Sequence, residues 1–460
     1  MPACARATSM TWKSAGKPRT TAVEPVVRND GMRPEARLEA AIEILDRLET
    51  AQSSLEDLMR GYFRERRYAG SGDRRAIGAT VYGVLRRRGE LDWRLSKAKC
   101  RCDNRLRVFF LTTLEHGPGL AEGPHGPELP DEAEREALSA AVLCAMETAP
   151  AWARLNYPAW LEGEIAESLG ASHEAELRAL CEGRAATDLR ANTLKTDRDR
   201  LAGMLAEEGF ATEPIALAPH ALRLTADGRA DQSRAFGQGL FEIQDAGSQF
   251  VAQLTGARQG QWIADICAGA GGKALAMAAD MDNRGQIFAI DVDAGRLRRL
   301  AARAERAGVR NIQTRRQPAE AGWPDDWRGR MDAVLVDAPC SGSGTWRRQP
   351  ELRWRMTAEG LARNAVRQGA MLDAAADLVK PGGRLVYITC SFLAAENEKP
   401  VTDFLVRHAD FSVTPWREAA AAAGVTDLPD ADGAHDFLRL TPLKHGVDGF
   451  FAAVMTRGLS

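Results

Sequence analysis

The stretch QWIADICAGAGGKALAMA (Gln261–Ala278) joins a short apolar, β-rich run to a glycine-rich turn and then to a helical segment. Strand, tight turn and helix in that order open a strand–helix–strand unit, and the glycines let backbone approach a ligand at the helix N-terminus. Six further β-rich runs follow: QIFAIDV from Gln286, NIQTRR from Asn311, MDAVLVDAP from Met331, GRLVYITC from Gly383, FSVTPW from Phe411 and GFFAAVMTR from Gly449. Helical segments of roughly ten to twenty residues alternate with them, which predicts a mostly parallel, doubly wound α/β sheet over 257–460. The last two runs are joined by a loop and not by a clean crossover helix, so the final strand is open to an antiparallel placement.

Upstream, DLRANTLKTDRDRLAGMLAEEGF (Asp188–Phe210) reads as strand, turn and helix, so 183–256 is expected to be a small α+β linker domain that helps bind RNA. Apolar residues at three- and four-residue steps predict helices from about Arg33 to Lys97 and again from Ala133 to about Cys181. The Gly- and Pro-rich run Gly117–Glu132 is a loop between them, giving a helical domain over 32–182. Residues 1–31 hold no apolar core of a secretory signal and are expected to be a disordered tail.

The chain has 460 residues, a net charge of −2, 45% hydrophobic and 27% charged residues, the profile of a soluble protein of two or three domains. That charge offers no chain-wide attraction for nucleic acid. Local arginine clusters at Arg64–Arg67, Arg86–Arg88, around Arg315 and at Arg347–Arg348 do, although each alone reads equally as a solvated face. The eight cysteines lack paired spacing and the seven histidines form no HxH or HxxxH pair, so no metal is expected. No apolar run approaches ~18 residues, so no membrane contact is expected, and a reduced cytoplasm fits the free thiols. A monomer is expected.

Ligands of such a sheet bind at the carboxyl ends of the strands. The turn Cys267, Ala268, Gly269, Ala270, Gly271, Gly272, Lys273 lies there. It fails as a phosphate-binding Walker loop, which needs Gly at 267 and Ser or Thr at 274, and it fails as GxGxxG. The next run ends in Asp291, where these folds place an acid on ribose hydroxyls. Turn and acid together suit an adenosyl cofactor without polyphosphate, and S-adenosylmethionine is the candidate.

Two thiols, Cys340 in DAPCSGSGTW and Cys390 in LVYITCSFL, close predicted strands on the same side. A methyl donor beside a thiolate suggests methylation at carbon 5 of cytosine. Thiolate addition at carbon 6 makes carbon 5 nucleophilic, and the thiol later leaves. Asp337 is placed to serve the base's N3 and amino edge, as a protonated or strongly hydrogen-bonded carboxyl. Composition alone makes a strand-end cysteine inert more often than not, so position carries this reading. Which thiol attacks is open on these grounds.

DAPCSGSGTWRRQPELRW, KPGGRLVYITCSFLAAENE and LKHGVDGFFAAVMTR resemble the RNA cytosine-C5 methyltransferases, specifically the bacterial Sun/RsmB type that acts on small-subunit ribosomal RNA. LRANTLK, FEIQDAGSQ and ADICAGAGGK match the same family in order and spacing, so the likeness covers roughly Asp188 to Arg457. GDRRAIGATVYGVLRRRGELDW (Gly72–Trp93) is similar to the NusB-like all-α domain that heads this subfamily. The resemblance implies a Rossmann-like S-adenosylmethionine-dependent methyltransferase domain, with Cys390 the nucleophile and Cys340 assisting product release. It implies that Asp337 lies between cofactor and base, that Cys267–Lys273 bind the methionine part with Lys273 near the reacting atoms, and that Asp291 holds the ribose. Arg347, Arg348, Arg353 and Trp354, beside Pro350, become an RNA-facing loop.

The family turn is Cys-Ala-Ala-Pro-Gly-Gly-Lys-Thr, and Gly269, Ala270 and Ala274 depart from it. The family's Gly-Asp after the third strand is replaced by Gln317-Pro318, with Glu320 nearby as a stand-in for the adenine contact. The expected partner is 16S rRNA. A tRNA target and a catalytically weak rRNA assembly factor are the alternatives, separated by the RNA that loses methylation and by cofactor binding.

Overall fold

Burial alternates along the central strands, and each parity belongs to a different core. Ile287 and Ala289 pack into one apolar cluster and Phe288 and Ile290 into another. Val386 and Ile388 share the first cluster, Leu385 and Tyr387 the second. Period-two pleating with both faces apolar demands helices on both sides, the doubly wound arrangement predicted for this part of the chain. The computed structural model describes residues 31–51, 53–117, 119, 123–318, 321–425 and 436–459; the tail expected at 1–31 therefore lies outside the described residues except for Gly31.

The chain divides into two compact units between Asn156 and Tyr157. The first is helical, with helices at Pro34–Thr50, Leu55–Glu65, Ser71–Lys97, Asn104–His116 and Glu132–Val142. Three of these five starts carry side-chain caps: Ser54 accepts from Asp57 N–H, Asp103 from Leu106 N–H, and Asp131 with Glu134 closes a reciprocal box. Ile77, Val81, Leu91, Phe109 and Phe110 are fully buried among them.

The second unit holds two sheets. β1 (Asp188–Ala191), β2 (Thr212–Pro214), β3 (Ala221–Leu224) and β4 (Phe241–Ile243) form an antiparallel sheet in the order β2-β3-β1-β4. β5 (Trp262–Ile266), β6 (Gln286–Asp291), β7 (Ile312–Arg316), β8 (Met331–Asp337) and β9 (Val379–Thr389) are parallel neighbours in the order β7-β6-β5-β8-β9. β10 (Phe411–Thr414), β11 (Leu438–Leu440) and β12 (Phe450–Arg457) complete it, with β12 antiparallel to β9, β10 and β11. The antiparallel placement left open for the last strand is thus realised. β11 had no counterpart in the sequence reading, being a three-residue run.

The helices Glu162–Leu169 and His173–Cys181 fall in the second unit, whereas the periodicity assigned everything up to 182 to one helical domain. Long-range polar contacts explain it. Thr441 Oγ1 donates to Glu176, Arg439 donates to Ser168 O, and Ser168 Oγ accepts from Ala394 N–H. No helix among the described residues is long and apolar enough to cross a membrane.

Candidate active site

Strand order reverses between β5 and β8, and the crevice at their carboxyl ends gathers the predicted residues. The turn after β5 is held from several sides. Ala268 N–H donates to Ile290 O, Gly271 N–H to Ala268 O, and Gly269 N–H to Asp291 Oδ2, each at 2.9 Å. Gly271 is left-handed (φ +85°), and a Cβ there would sit 2.5 Å from Leu300 Cγ, so only glycine serves. Two arginines clamp the turn's carbonyls: Arg303 reaches Ala270 O and Arg190 reaches Gly272 O, each at 2.7 Å. Burial pushes Arg190 down to about 10.

Asp265, Asp291 and Asp337 stand on β5, β6 and β8, and the buried Lys273 ammonium interacts with Asp337 and Asp265. Lys273 Nζ donates to Asp337 Oδ2 at 2.7 Å and lies 5.8 Å from the Phe450 ring centroid. Burial alone would lower the Lys273 pKa, but Asp337, Asp265 and the Cys390 sulfur hold it above its ordinary value. Of the two forms expected of Asp337 from the sequence, the strongly hydrogen-bonded carboxyl is the one found, with Lys273 as its donor. Asp265 is buried, and neither of its oxygens has a hydrogen-bond partner. Burial, with Asp337 and Asp291 nearby, raises its pKa well above the carboxylate range. Asp291 accepts from Gly269 N–H and Asp293 N–H through separate oxygens.

Cys340 Sγ and Cys390 Sγ lie 3.5 Å apart. The loops carrying them are laced together. Gly344 N–H donates to Cys390 O at 2.9 Å, Phe392 N–H to Ser343 Oγ at 3.0 Å, and the Ser343 and Ser391 hydroxyls meet at 2.9 Å. Cys267 is a third nearby thiol, but burial and the carboxylates of Asp337, Asp291 and Asp265 push its pKa up, which keeps it protonated. The DGFF segment closes on the same loop, with Gly449 N–H donating to Gly344 O at 2.8 Å. A Cβ on Gly344 would meet Gly449 O at 2.2 Å, so the backbones must touch. Gly344→Ala is expected to cost about 1–3 kcal/mol through forced separation of these segments. Urea denaturation of the variant against the parent checks it.

The RNA-facing loop needs correction. Arg353 is fully buried, 5.3 Å from the Trp346 ring centroid, with Nη2 donating to Trp346 O at 3.4 Å, and is not presented to a phosphate backbone. Its role is to hold the helix Glu351–Arg355 against Trp346. Arg348 bonds Asp448 at 2.6 Å and Asp245 at 3.0 Å, and Arg347 bonds Asp448 at 3.1 Å. Their charge is spent on tying this loop to two other motif segments. Trp354 lines a surface cleft with Pro158, Trp160 and Met356. On the far strand, the Gln317 amide is occupied by Gly322 O and by Arg315, which donates to its Oε1. Glu320 lies outside the described residues.

Sequence reasoning missed Arg190, Arg303 and Glu396 as supports of the site. Arg190 was visible inside LRANTLK and Glu396 inside AAENE. Arg303 carried no signal, since any arginine on a surface helix looks alike.

The turn can accept a ligand: a Cβ on Gly269 would meet only Cys267 O, at 3.9 Å. Asp291, at the end of β6 and bonded to the glycine turn, fits a cofactor bearing ribose hydroxyls. Two family models match this chain, "16S rRNA methyltransferase RsmB/F" over residues 252–456 and the "Methyltr_RsmF/B-like, ferredoxin-like domain" over 157–230. A Synechocystis protein described as probable ribosomal RNA small subunit methyltransferase B is 32% identical over 420 residues, covering 83% of this chain and 90% of its own. Ribosomal RNA small subunit methyltransferase B of Citrobacter koseri is 30% identical, with 81% and 91% covered. The crystal structure of PH0851 superposes with a TM-score of 0.73 at 24% identity, over 92% of this chain and 99% of that one. A methyltransferase homologue from Pyrococcus horikoshii gives 0.57 at 27%, over 68% and 100%. The chain belongs to the RsmB/F family of 16S rRNA methyltransferases, Rossmann-like enzymes whose cofactor is S-adenosylmethionine.

Proposed function

We propose that this protein methylates carbon 5 of a cytosine in 16S rRNA through a covalent bond between Cys390 and carbon 6. The observation that carries the reading is the pair of thiols 3.5 Å apart beside the Lys273–Asp337 ion pair, at the strand ends where the cofactor turn lies. A covalent bond made by one sulfur can be released with help from a second sulfur this close. Bound S-adenosylmethionine supplies an electrophilic methyl group.

Cys390, as thiolate, adds to carbon 6, and the electron pair moves to carbon 5. Lys273, already protonated, carries the hydrogen bond that balances charge gathering on the ring at N3 and O2, while Asp337 holds Lys273 in place and accepts from the cytosine amino group. After carbon 5 is methylated it loses its proton to a base, the carbon 5–carbon 6 double bond reforms, and the Cys390–carbon 6 bond breaks with the electron pair returning to sulfur. Cys340 assists this release. Asp291 and the Cys267–Gly272 turn hold the cofactor, with Arg190 and Arg303 fixing the turn. Trp354 remains a candidate for contact with a base.

Bisulfite sequencing of 16S rRNA and tRNA from a strain lacking the gene tests the target. Loss of one 5-methylcytosine from 16S rRNA is expected, restored by the wild-type gene. An unchanged ribosomal profile with a lost tRNA site would transfer the proposal to tRNA, and no change in either would overturn it.

A further inference from the structure

Glu396 is fully buried directly beneath the Cys340 turn, at the end of the short turn Ala394–Glu396. Its Oε1 accepts from Ser341 N–H at 2.8 Å and from Asn364 Nδ2 at 2.9 Å, and its Oε2 accepts from Ser341 Oγ at 2.5 Å. Its backbone carbonyl accepts from Tyr387 Oη at 2.6 Å. Gln368 donates to Pro339 O at 2.9 Å, so the turn is gripped on both sides of Cys340. A carboxylate costs several kcal/mol to bury, far more than the neutral amide that could make similar contacts. The charge itself calls for a role.

We propose that Glu396 is a positioning residue for the thiol pair, holding the Pro339–Ser341 turn so that Cys340 faces Cys390 and keeping the pair's remaining proton on Cys340. When the pair loses one proton to solvent water, the S–H that stays belongs to Cys340 and is directed at Cys390 Sγ, where the free electron pair resides. The surroundings of the two sulfurs are asymmetric in the required sense. The Cys390 sulfur, burial and the Glu396 charge push Cys340 well above the ordinary thiol range. On the opposite side Cys390 faces the Lys273 ammonium, whose own partner is Asp337. The inference rests on the reading of Cys390 as the attacking sulfur, but its test needs neither RNA nor methyl transfer. It can therefore fail, or succeed, independently of that reading.

The experiment is peptide-resolved alkylation of the full-length protein by iodoacetamide across pH 6 to 10, because the thiolate is the reacting form. At neutral pH Cys390 is expected to react about tenfold faster than Cys340; equal or inverted rates in the unmodified protein overturn the proposal without any variant. In Glu396→Gln the ratio is expected to fall by about fivefold, with the Cys340 profile moved to lower pH. A folded Glu396→Gln protein with an unchanged ratio and an unchanged Cys340 profile would make the residue structural only. Asn364→Leu removes a donor from the carboxylate and leaves its charge less compensated, so it should raise the ratio by about twofold; no rise overturns the proposal even if Glu396→Gln does not fold.

Discussion

Cys390→Ala is expected to abolish methylation, a loss on the order of 10³-fold or more, as for removal of a covalent nucleophile. Cys340→Ala is expected to behave in the opposite way at the level of the complex. It should attack and then stall, accumulating an enzyme–RNA adduct that survives denaturing electrophoresis. The geometry supports the contrast, since the sulfurs are 3.5 Å apart and a base held at one is within reach of the other. Both variants should bind S-adenosylmethionine as the parent does, because the turn proposed to hold it is fastened by Asp291, Arg190 and Arg303. Calorimetry checks that. An adduct trapped by Cys390→Ala and absent from Cys340→Ala would reverse the roles.

Lys273→Met should be the next most damaging change. Lys273 donates to Asp337, which together with Asp265 holds the Lys273 pKa above its ordinary value against the effect of burial. Methylation is expected to fall by about 10²–10⁴-fold, the span of general acid–base contributions. Asp337 is one-third exposed, so the stability cost is less than for a fully buried broken pair, about 1–3 kcal/mol. The folded pKa of Lys273 is raised, so its contribution is complete below the unfolded lysine value of about 10.4 and is lost as pH rises through the folded value. The deficit of Lys273→Met in urea titrations should therefore be constant from pH 7 to 9 and shrink at more alkaline pH. Adding Asp337→Asn should recover stability and leave activity low. Recovered activity would show that Lys273 serves only to neutralise the carboxylate.

Much of the fold was legible because apolar runs such as QIFAID bury both faces, as strands do in a sheet covered by helices on both sides. The turn at Gly271 was legible because left-handed backbone selects glycine. Asp291, Asp337, Cys340 and Cys390 were legible by position, each closing or following a strand on one side of the sheet. Local pattern determines which residues end a strand, and the right-handed crossover then sends all parallel strand ends to one crevice.

Other features depend on partners distant in sequence. Helical periodicity is the same whether a helix packs on the preceding helices or, like His173–Cys181, on a segment near residue 441, so the 182 boundary could not be read. An arginine run advertises RNA until its carboxylates arrive: Asp245 and Asp448 lie roughly a hundred residues to either side of Arg348 and consume its charge. Arg353 looked like its neighbours and proved to be fully buried. Lys273 could not be read as the partner of Asp337 because their 2.7 Å contact spans 64 residues of sequence. Residue type and strand position were enough to gather the candidate groups at one end of the sheet, and only the family resemblance separated the roles expected of the two thiols. Their charges, and which of them keeps a proton, follow from burial and from contacts made only when remote segments close on one another.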